Sequence, residues 1–446
     1  MKPIQYILLF FIVPLVSQGA SKTIQPSRTL EVACLEKLSL REFNGKMFPQ
    51  RKQGGNPRKK GKILLFDGSM DGNRQVDPQI AVGGGVVFHA TNAGMIIYDK
   101  TGKYIDGVRS VAFNKGIDPK VLYSIQNKTF LFDIWQYWDK EKKKPVNLSL
   151  SKTQDPTKGW NIYPISIPEG RDGGGLGCSS KWIGYTFPGG KDNTFVLRFA
   201  DAKKGKKITV YFFHGHFGQP ALTQGRGEEL YFLKITPRKI KISRVRSNPD
   251  GTPYIEVLSE KENTLKYRNP ARPAPQKGSD VPVAAGARNP KNLIYQGGDL
   301  WFSHIVKCNG RSAILWHQLG IDGHFKQTGI ISSPSSYYIQ PTLAVNRQKD
   351  LIIGFQETNE KMFVSPRFTF RLHTDPPGKT RKIISLGEGE GAIEKTTWGD
   401  YSGSVIDGDN YLDLWTIQSR ANKKGRGETV IARIPFSKIK RVKEGK

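Results

Sequence analysis

A short polar step before an apolar strand recurs seven times along this chain, and that repetition constrains the fold more tightly than any other feature. The copies read DPQIAVGGGVVFHATN from Asp77, DPKVLYSIQNKTFLFDI from Asp118, DGGGLGCSSKWIGYTF from Asp172 and QPALTQGRGEELYFLKI from Gln219. They continue with NPKNLIYQGGDLWFSH from Asn289, QPTLAVNRQKDLIIGF from Gln340 and DYSGSVIDGDNYLDLWTI from Asp400. Successive starts lie 41, 54, 47, 70, 51 and 60 residues apart. A period in this range, filled with strands and turns, is the signature of a β-propeller. The fold expected is therefore all-β, with seven blades preferred and six plus an irregular strand pair as the alternative. The copies from Asp172 and Gln219 are the weakest. A propeller places the start of every inner strand on one face, so seven scattered positions would meet around one channel.

The first copy shows the grammar of a unit. Ile80 to Val82 reads as an inner strand, Gly83 to Gly85 as a turn and Val86 to Ala90 as a second strand. Met95 to Tyr98 gives a third, and Val108 to Phe113 a fourth. ILLFDG at 63–68 lies before the first copy and TVIARIPF at 429–436 after the last hairpin. These two are expected to pair in one blade and close the ring, because an unclosed sheet leaves an exposed edge. The interval 267–290, rich in Pro, Ala and Gly, reads as a long surface loop.

The termini add a leader and a basic segment. Residues 1–20 read as a secretory signal peptide: Lys2, an apolar run over 4–16 broken by Pro14, then small residues. That run is too short to span a bilayer, and no other segment is long and apolar enough. A secreted or periplasmic protein is expected. Residues 21–60 form a short basic lead segment, in which 29–43 could be a short helix, and 61–446 form the propeller domain. The three cysteines, Cys34, Cys178 and Cys308, allow at most one disulfide, whose pairing the sequence leaves open, and rule out a disulfide-framed scaffold.

The 446 residues carry a formal charge of +30. Such a field concentrates anions, which points to an anionic polysaccharide or envelope surface as partner. No nucleic-acid motif accompanies the charge, so DNA or RNA ranks low. The basic residues sit in separate runs beside outer strands, where lysine also discourages edge pairing, so a merely solvated face is an equal reading. Oligomeric state is left open.

Several constellations could carry chemistry. The leading residues Asp77, Asp118, Asp172, Gln219, Asn289, Gln340 and Asp400 would form an oxygen-rich ring suited to sugar hydroxyls or to calcium, and close carboxylates would raise one another's pKa. The plainer reading is strand-start chemistry, the side chains bonding nearby backbone N–H groups. His214 and His216, alternate residues of a strand, could share one transition metal, although two histidines do not complete a site. Asp400 and Tyr401 could act as acid/base and nucleophile. Trp135, Tyr137 and Trp138 could stack on sugar rings, though packing between blades is the commoner use of such aromatics.

The phrases DPQIAVGGGVVFHATNAGMIIYDKTG, SKTQDPTKGW, LIYQGGDLWFSH with AILWHQL, QPTLAVNRQKDLIIGF and TWGDYSGSVID with LWTI resemble secreted bacterial proteins with sialidase-like, BNR-type propellers. The resemblance covers most of residues 70–436. Ser151 to Trp160 looks like a degenerate Asp-box, with Asp155, Gly159 and Trp160 in matching kinds of position. In that family the motif is a structural hairpin turn. The family's enzymes use an arginine triad, a Tyr/Glu couple and an Asp acid/base. Here no equivalent set is found, and Arg433-Ile434-Pro435 matches the arginine motif only in the wrong strand. The resemblance thus implies a binding or scaffold module for an anionic glycan or envelope component, with a glycoside hydrolase or polysaccharide lyase at the channel mouth as the alternative.

Overall fold

The computed structural model describes residues 22–35, 42–43, 46–47, 55–70, 72, 75–109, 116–136, 145–167, 173–268, 273–286 and 289–439. Among the described residues the architecture is all-β, organised as antiparallel meanders that follow the sequence copies in order and are numbered after them as units. Unit 1 contains Gln79–Gly83, Val86–Thr91, Gly94–Asp99 and Tyr104–Arg109. Unit 2 contains Gly116–Ser124, Thr129–Gln136, Pro145–Ser151 and Trp160–Ser166. The two weakest copies are complete: unit 3 runs Gly175–Cys178, Trp182–Thr186, Asp192–Arg198 and Ile208–His214, and unit 4 runs Gln219–Pro220, Tyr231–Ile235, Lys239–Ser247 and Pro253–Glu262. Unit 5 spans Ile294–Gln296 to Phe325–Ile331, and unit 6 spans Tyr337–Val345 to Ile384–Ser385. Unit 7 takes Gly403–Ile406, Leu414–Ala421 and Gly427–Ile434 from the end of the chain and Ile63–Asp67 from its beginning. Asp67 sits opposite Val430 and Leu64 opposite Arg433, as the expected clasp requires.

These strands read as almost continuous apolar runs because both of their faces are covered. Successive side chains of a strand point to opposite faces. In unit 1, Ala81, Phe88, Ala90 and Ile97 pack on Phe130, Phe132 and Trp160 of unit 2. The alternate residues Val82, Val87, Ile96 and Tyr98 pack on Phe66, Trp415 and Ile431 of unit 7. Each such side chain contributes about 1.5–3 kcal/mol by leaving water. The leading strands touch in succession from unit 1 to unit 7, and the seventh touches the first. Between units 3, 4 and 5 the contact becomes hydrogen bonding: Leu222 bridges Cys178 on one side and Ile294 on the other, both in parallel register.

Three expectations change. Residues 28–32 form a strand, not a helix, pairing with the outer strand of unit 3 from Arg28↔Phe212 to Val32↔Ile208. An unpaired sheet edge offers a row of N–H and C=O partners, and β-branched Thr29 and Val32 suit it. Thr23–Ile24 similarly lines the outer strand of unit 4, and Leu35 bridges Ile162 of unit 2. The interval 267–290 is not simply a surface loop. It holds the hairpin Ala274–Gln276/Ser279–Val283, and Gln276 both donates to and accepts from the Ile393 backbone (3.0 and 2.7 Å). Lastly, the fourth strand of unit 1 is Tyr104–Arg109, four residues earlier than read; residues 110–115 lie outside the described residues. Cys34, Cys178 and Cys308 are free thiols. Among the described residues no helix is long and apolar enough to cross a membrane, and residues 1–20 lie outside them.

Candidate functional site

Asp77, Asp118 and Gln340 each precede a proline and each has a positive φ: 44°, 55° and 49°. This region is costly for a side chain with a Cβ, and a following proline disfavours helical conformations further. Such strain, of order 1–3 kcal/mol per residue, persists only where surroundings fix it. Here the fixing bonds run between units. The Asp77 carboxylate accepts the Asp400 N–H (2.5 Å) and the Asn92 amide (2.8 Å), while Asn92 Oδ1 accepts the Asp118 N–H (2.8 Å). The Gln340 amide donates to Gly399 O (2.5 Å), and Gln340 O accepts the Ser402 hydroxyl (2.8 Å). Tyr401 donates its hydroxyl to Pro119 O (3.0 Å). The leading residues of units 1, 2, 6 and 7 therefore form one network whose oxygens are largely spent on the protein itself.

The other leading residues lie elsewhere. Gln219 is half-buried and Asn289 exposed, and both line a separate cavity of ≈140 Å³ with Gly173, Phe217, Lys234, Thr236 and Lys291. Asp172 lies outside the described residues. The anticipated single ring is thus split into a buried network and an open cavity.

Behind the network lies a charge cluster. Lys120 and Asp133 face each other in register on adjacent strands of unit 2. Lys120 is 4% exposed, and its Nζ sits 3.2 Å above the Tyr401 ring. Burial, and then neighbouring Lys291, lower the Lys120 pKa to about 8 against the pull of Asp118, Asp133 and Asp77. Burial raises Asp133 to about 7 despite Lys120 beside it. Asp77 also rises to about 7, through burial and then through Asp118. Tyr401 is pushed well above the phenol range by burial and by Asp118, Asp77, Asp133 and Asp400, so it serves as a neutral donor. A buried, protonated phenol bonded to a carbonyl is no nucleophile, and Asp400 contributes its backbone N–H; the Asp400/Tyr401 couple does not form a catalytic pair. Calcium fits no better. The cation among these carboxylates is Lys120, and both Asp77 oxygens already have donors. Among the described residues no cluster of three or more His, Cys, Asp or Glu could hold a metal ion.

His214 and His216 do not share a face. The strand ends at His214, which is exposed, and Gly215 at φ 66° turns the chain inward. His216 is then enclosed between the hydroxyls of Thr194 (3.0 Å) and Ser243 (2.8 Å), both ring nitrogens engaged. Burial lowers its pKa to about 3. Arg433 binds Asp413 (2.7 Å) and is structural. The Arg238–Arg246 run is largely neutralised across strands: Lys239 and Lys241 face Glu260, and Arg244 bridges Glu229 and Glu256. Ser151 to Trp160 forms the expected hairpin turn, with Asp155 accepting from the Thr157 backbone and hydroxyl and Trp160 Nε1 donating to Pro156 O (2.9 Å). The side chain of Trp135, and residues Tyr137 and Trp138, lie outside the described residues.

A second, narrower cavity of ≈40 Å³ is bounded by the leading stretches of the seven sequence copies, from Gln79 and Lys120 through Leu176, Leu222 and Lys291 to Thr342 and Ser402. Lys291 borders both cavities. Sequence reading missed Lys120, Asn92, Asp133 and Lys291. A signal existed for two of them: Asp133 interrupts the apolar run FLFDI, and Lys120 opens the apolar strand KVLY.

No protein-family model and no curated protein matches the chain. Among solved structures, a protein of unknown function from Dyadobacter fermentans is 12% identical, with a TM-score of 0.37, over 82% of this chain and 97% of its own. A quinonprotein alcohol dehydrogenase-like protein from Bacteroides thetaiotaomicron is 11% identical, with a TM-score of 0.37, over 70% of this chain and 69% of its own. An α-L-arabinanase from Penicillium chrysogenum, a propeller-type protein, is 12% identical, with a TM-score of 0.28, over 72% of this chain and 93% of its own. At such scores these likenesses leave both family and activity open.

Proposed function

We propose that this chain is an exported, closed seven-bladed propeller of sialidase-like type that binds an anionic glycan or envelope component. The observation that carries the binding site is the composition of the 140 Å³ cavity: Lys234 and Lys291 with Gln219, Asn289 and Thr236, and no carboxylate among its described lining residues. Cations and amides together suit a sugar that carries a carboxylate or sulfate, since charge-assisted hydrogen bonds are the strong ones. Gln219 and Lys234 are fixed by strand pairing, which lowers the cost of ordering that side of the site. The succession of contacts among leading strands and the clasp between Ile63–Asp67 and Gly427–Ile434 support the seven-bladed reading. The signal-like residues 1–20 support export.

Calorimetric titration with uronate-bearing, sulfated and neutral oligosaccharides tests the proposal. Saturable binding of an acidic sugar is expected, absent for the neutral one. Joint Lys234→Gln and Lys291→Gln substitution should weaken it at least about tenfold, since a hydrogen bond to a charged group contributes about 1.5–3 kcal/mol. No saturable binding, or affinity unchanged in the double variant, rejects the reading. The hydrolase or lyase alternative draws on Asp77 and Asp133, whose pKa values near 7 suit a general acid. Both are fully buried. Sugar release that disappears in Asp77→Asn or Asp133→Asn would favour the enzyme.

A further inference from the structure

We propose that the narrower cavity binds a small monovalent anion, a halide or a formate-sized carboxylate, held between Lys120 and Lys291. Three side chains on its wall bear buried polar atoms with no hydrogen-bond partner: Lys120 Nζ, both amide atoms of Gln224, and Thr342 Oγ1. Their exposures are 4%, 4% and 1%. A buried neutral group left without a partner costs about 1–3 kcal/mol, and an ammonium costs more. All three residues line the same small space, whose remaining wall is mostly aliphatic: Ile80, Val121, Leu222, Leu293 and Ile294. One occupant that accepts hydrogen bonds would satisfy the three donors, Lys120 Nζ, Gln224 Nε2 and Thr342 Oγ1, together.

The sign of that occupant follows from the wall. Lys120 and Lys291 line the cavity, whereas Asp77, Asp118 and Asp133 do not border it. Gln224 and Thr342 add N–H and O–H donors. Lys291 donates to Gly173 O (3.2 Å) and keeps further N–H groups. A cation there would face Lys120 unscreened. Size is limited by the volume: one water occupies roughly 10–15 Å³ of such space, so 40 Å³ admits a few water-sized bodies and no sugar ring. The occupant is thus distinct from the glycan proposed for the larger cavity, although Lys291 lies at the entrance to both.

The test uses the full protein at pH 6, where Asp77 and Asp133 are mostly neutral. Thermal melts at one fixed ionic strength compare sodium bromide, sodium formate and sodium gluconate. Crystals soaked in bromide are examined by anomalous scattering. A saturable rise in melting temperature with bromide or formate over gluconate is expected, with a bromide peak touching Lys120 Nζ. A response to formate alone assigns a carboxylate; a response to bromide assigns a halide-sized site. Lys120→Met should abolish the response. Should that variant not fold, Thr342→Val should raise the half-saturating concentration about tenfold, the equivalent of one hydrogen bond of about 1.4 kcal/mol. Identical melts in all three salts, waters alone in the cavity of a protein whose melts respond to bromide, or an undiminished response in Thr342→Val would each overturn the proposal.

Discussion

Replacing Asp133 by Asn should make the protein progressively more stable than wild type as pH rises from 4 to 7. Asp133 is 0% exposed, and burial raises its carboxyl from 3.8 to about 7 in the folded chain. A raised folded pKa means that the native state binds the proton more tightly than the unfolded state does. Between these two values, folding is therefore weakened by each rise in pH, at about 1.4 kcal/mol per unit, or about 4 kcal/mol across the interval. Asn is nearly isosteric and does not titrate. The offset between Asn and a neutral Asp is constant in pH, so the difference between the two proteins should be flat below pH 4, grow through the interval and flatten again above 7. Urea unfolding of both proteins at pH 4.5, 6 and 8.5, at equal ionic strength, gives that difference directly. Subtraction removes titrating groups remote from Asp133; Lys120 faces it and its pKa is pulled upward by it, so the rise between pH 4.5 and 6 carries the test. A pH-independent difference, or a variant that loses ground towards pH 8.5, would refute the assignment of Asp133 as a carboxyl kept neutral by burial.

Three other outcomes follow from the packing. His304 and His317 meet through their Nε2 atoms at 3.1 Å inside unit 5, with folded pKa values lowered by burial to about 4 and well below 6.5, respectively. Stability from a buried neutral histidine is lost as pH falls below 6.5, so His317→Gln should flatten the acid limb of the stability curve by about 1.4 kcal/mol per unit between pH 6 and 4. Phe66→Ala should cost about 3–5 kcal/mol by chemical denaturation, because Phe66 is fully buried against Tyr98 and Trp415 at the joint between units 1 and 7. Gly177→Ala would place a Cβ 2.6 Å from Ala221 O, so urea unfolding should show a loss of about 1–3 kcal/mol where units 3 and 4 meet.

Much of the architecture was written locally. The polar-proline step at Asp77 marks a strand start, whereas those at Asp118 and Gln340 fall inside Gly116–Ser124 and Tyr337–Val345 at register shifts, because proline cannot donate to a ladder; the apolar runs after them mark strands covered on both faces. The pairing of Ile63–Asp67 with the final strand was also legible, since each segment lacked a partner of its own. What escaped depended on tertiary context. Nothing local tells that Asp77 would bond the Asp400 N–H of another unit, or that His216 would turn away from His214 at Gly215. Residues 28–32 carry mixed signals, and the free edge of unit 3 decides between them. The Pro/Ala/Gly-rich interval folds back because Gln276 finds the Ile393 backbone, a contact no window of sequence contains.

The joint made by Ile63–Asp67 and Gly427–Ile434 has a consequence for synthesis. The ribosome delivers Ile63–Asp67 long before Gly427–Ile434. Until Gly427–Ile434 emerges, Phe66 has no Ile431 opposite it, and the nascent polypeptide carries an open seam there. Completion of this joint therefore waits on Gly427–Ile434, and a stop upstream of them leaves Ile63–Asp67 without that partner.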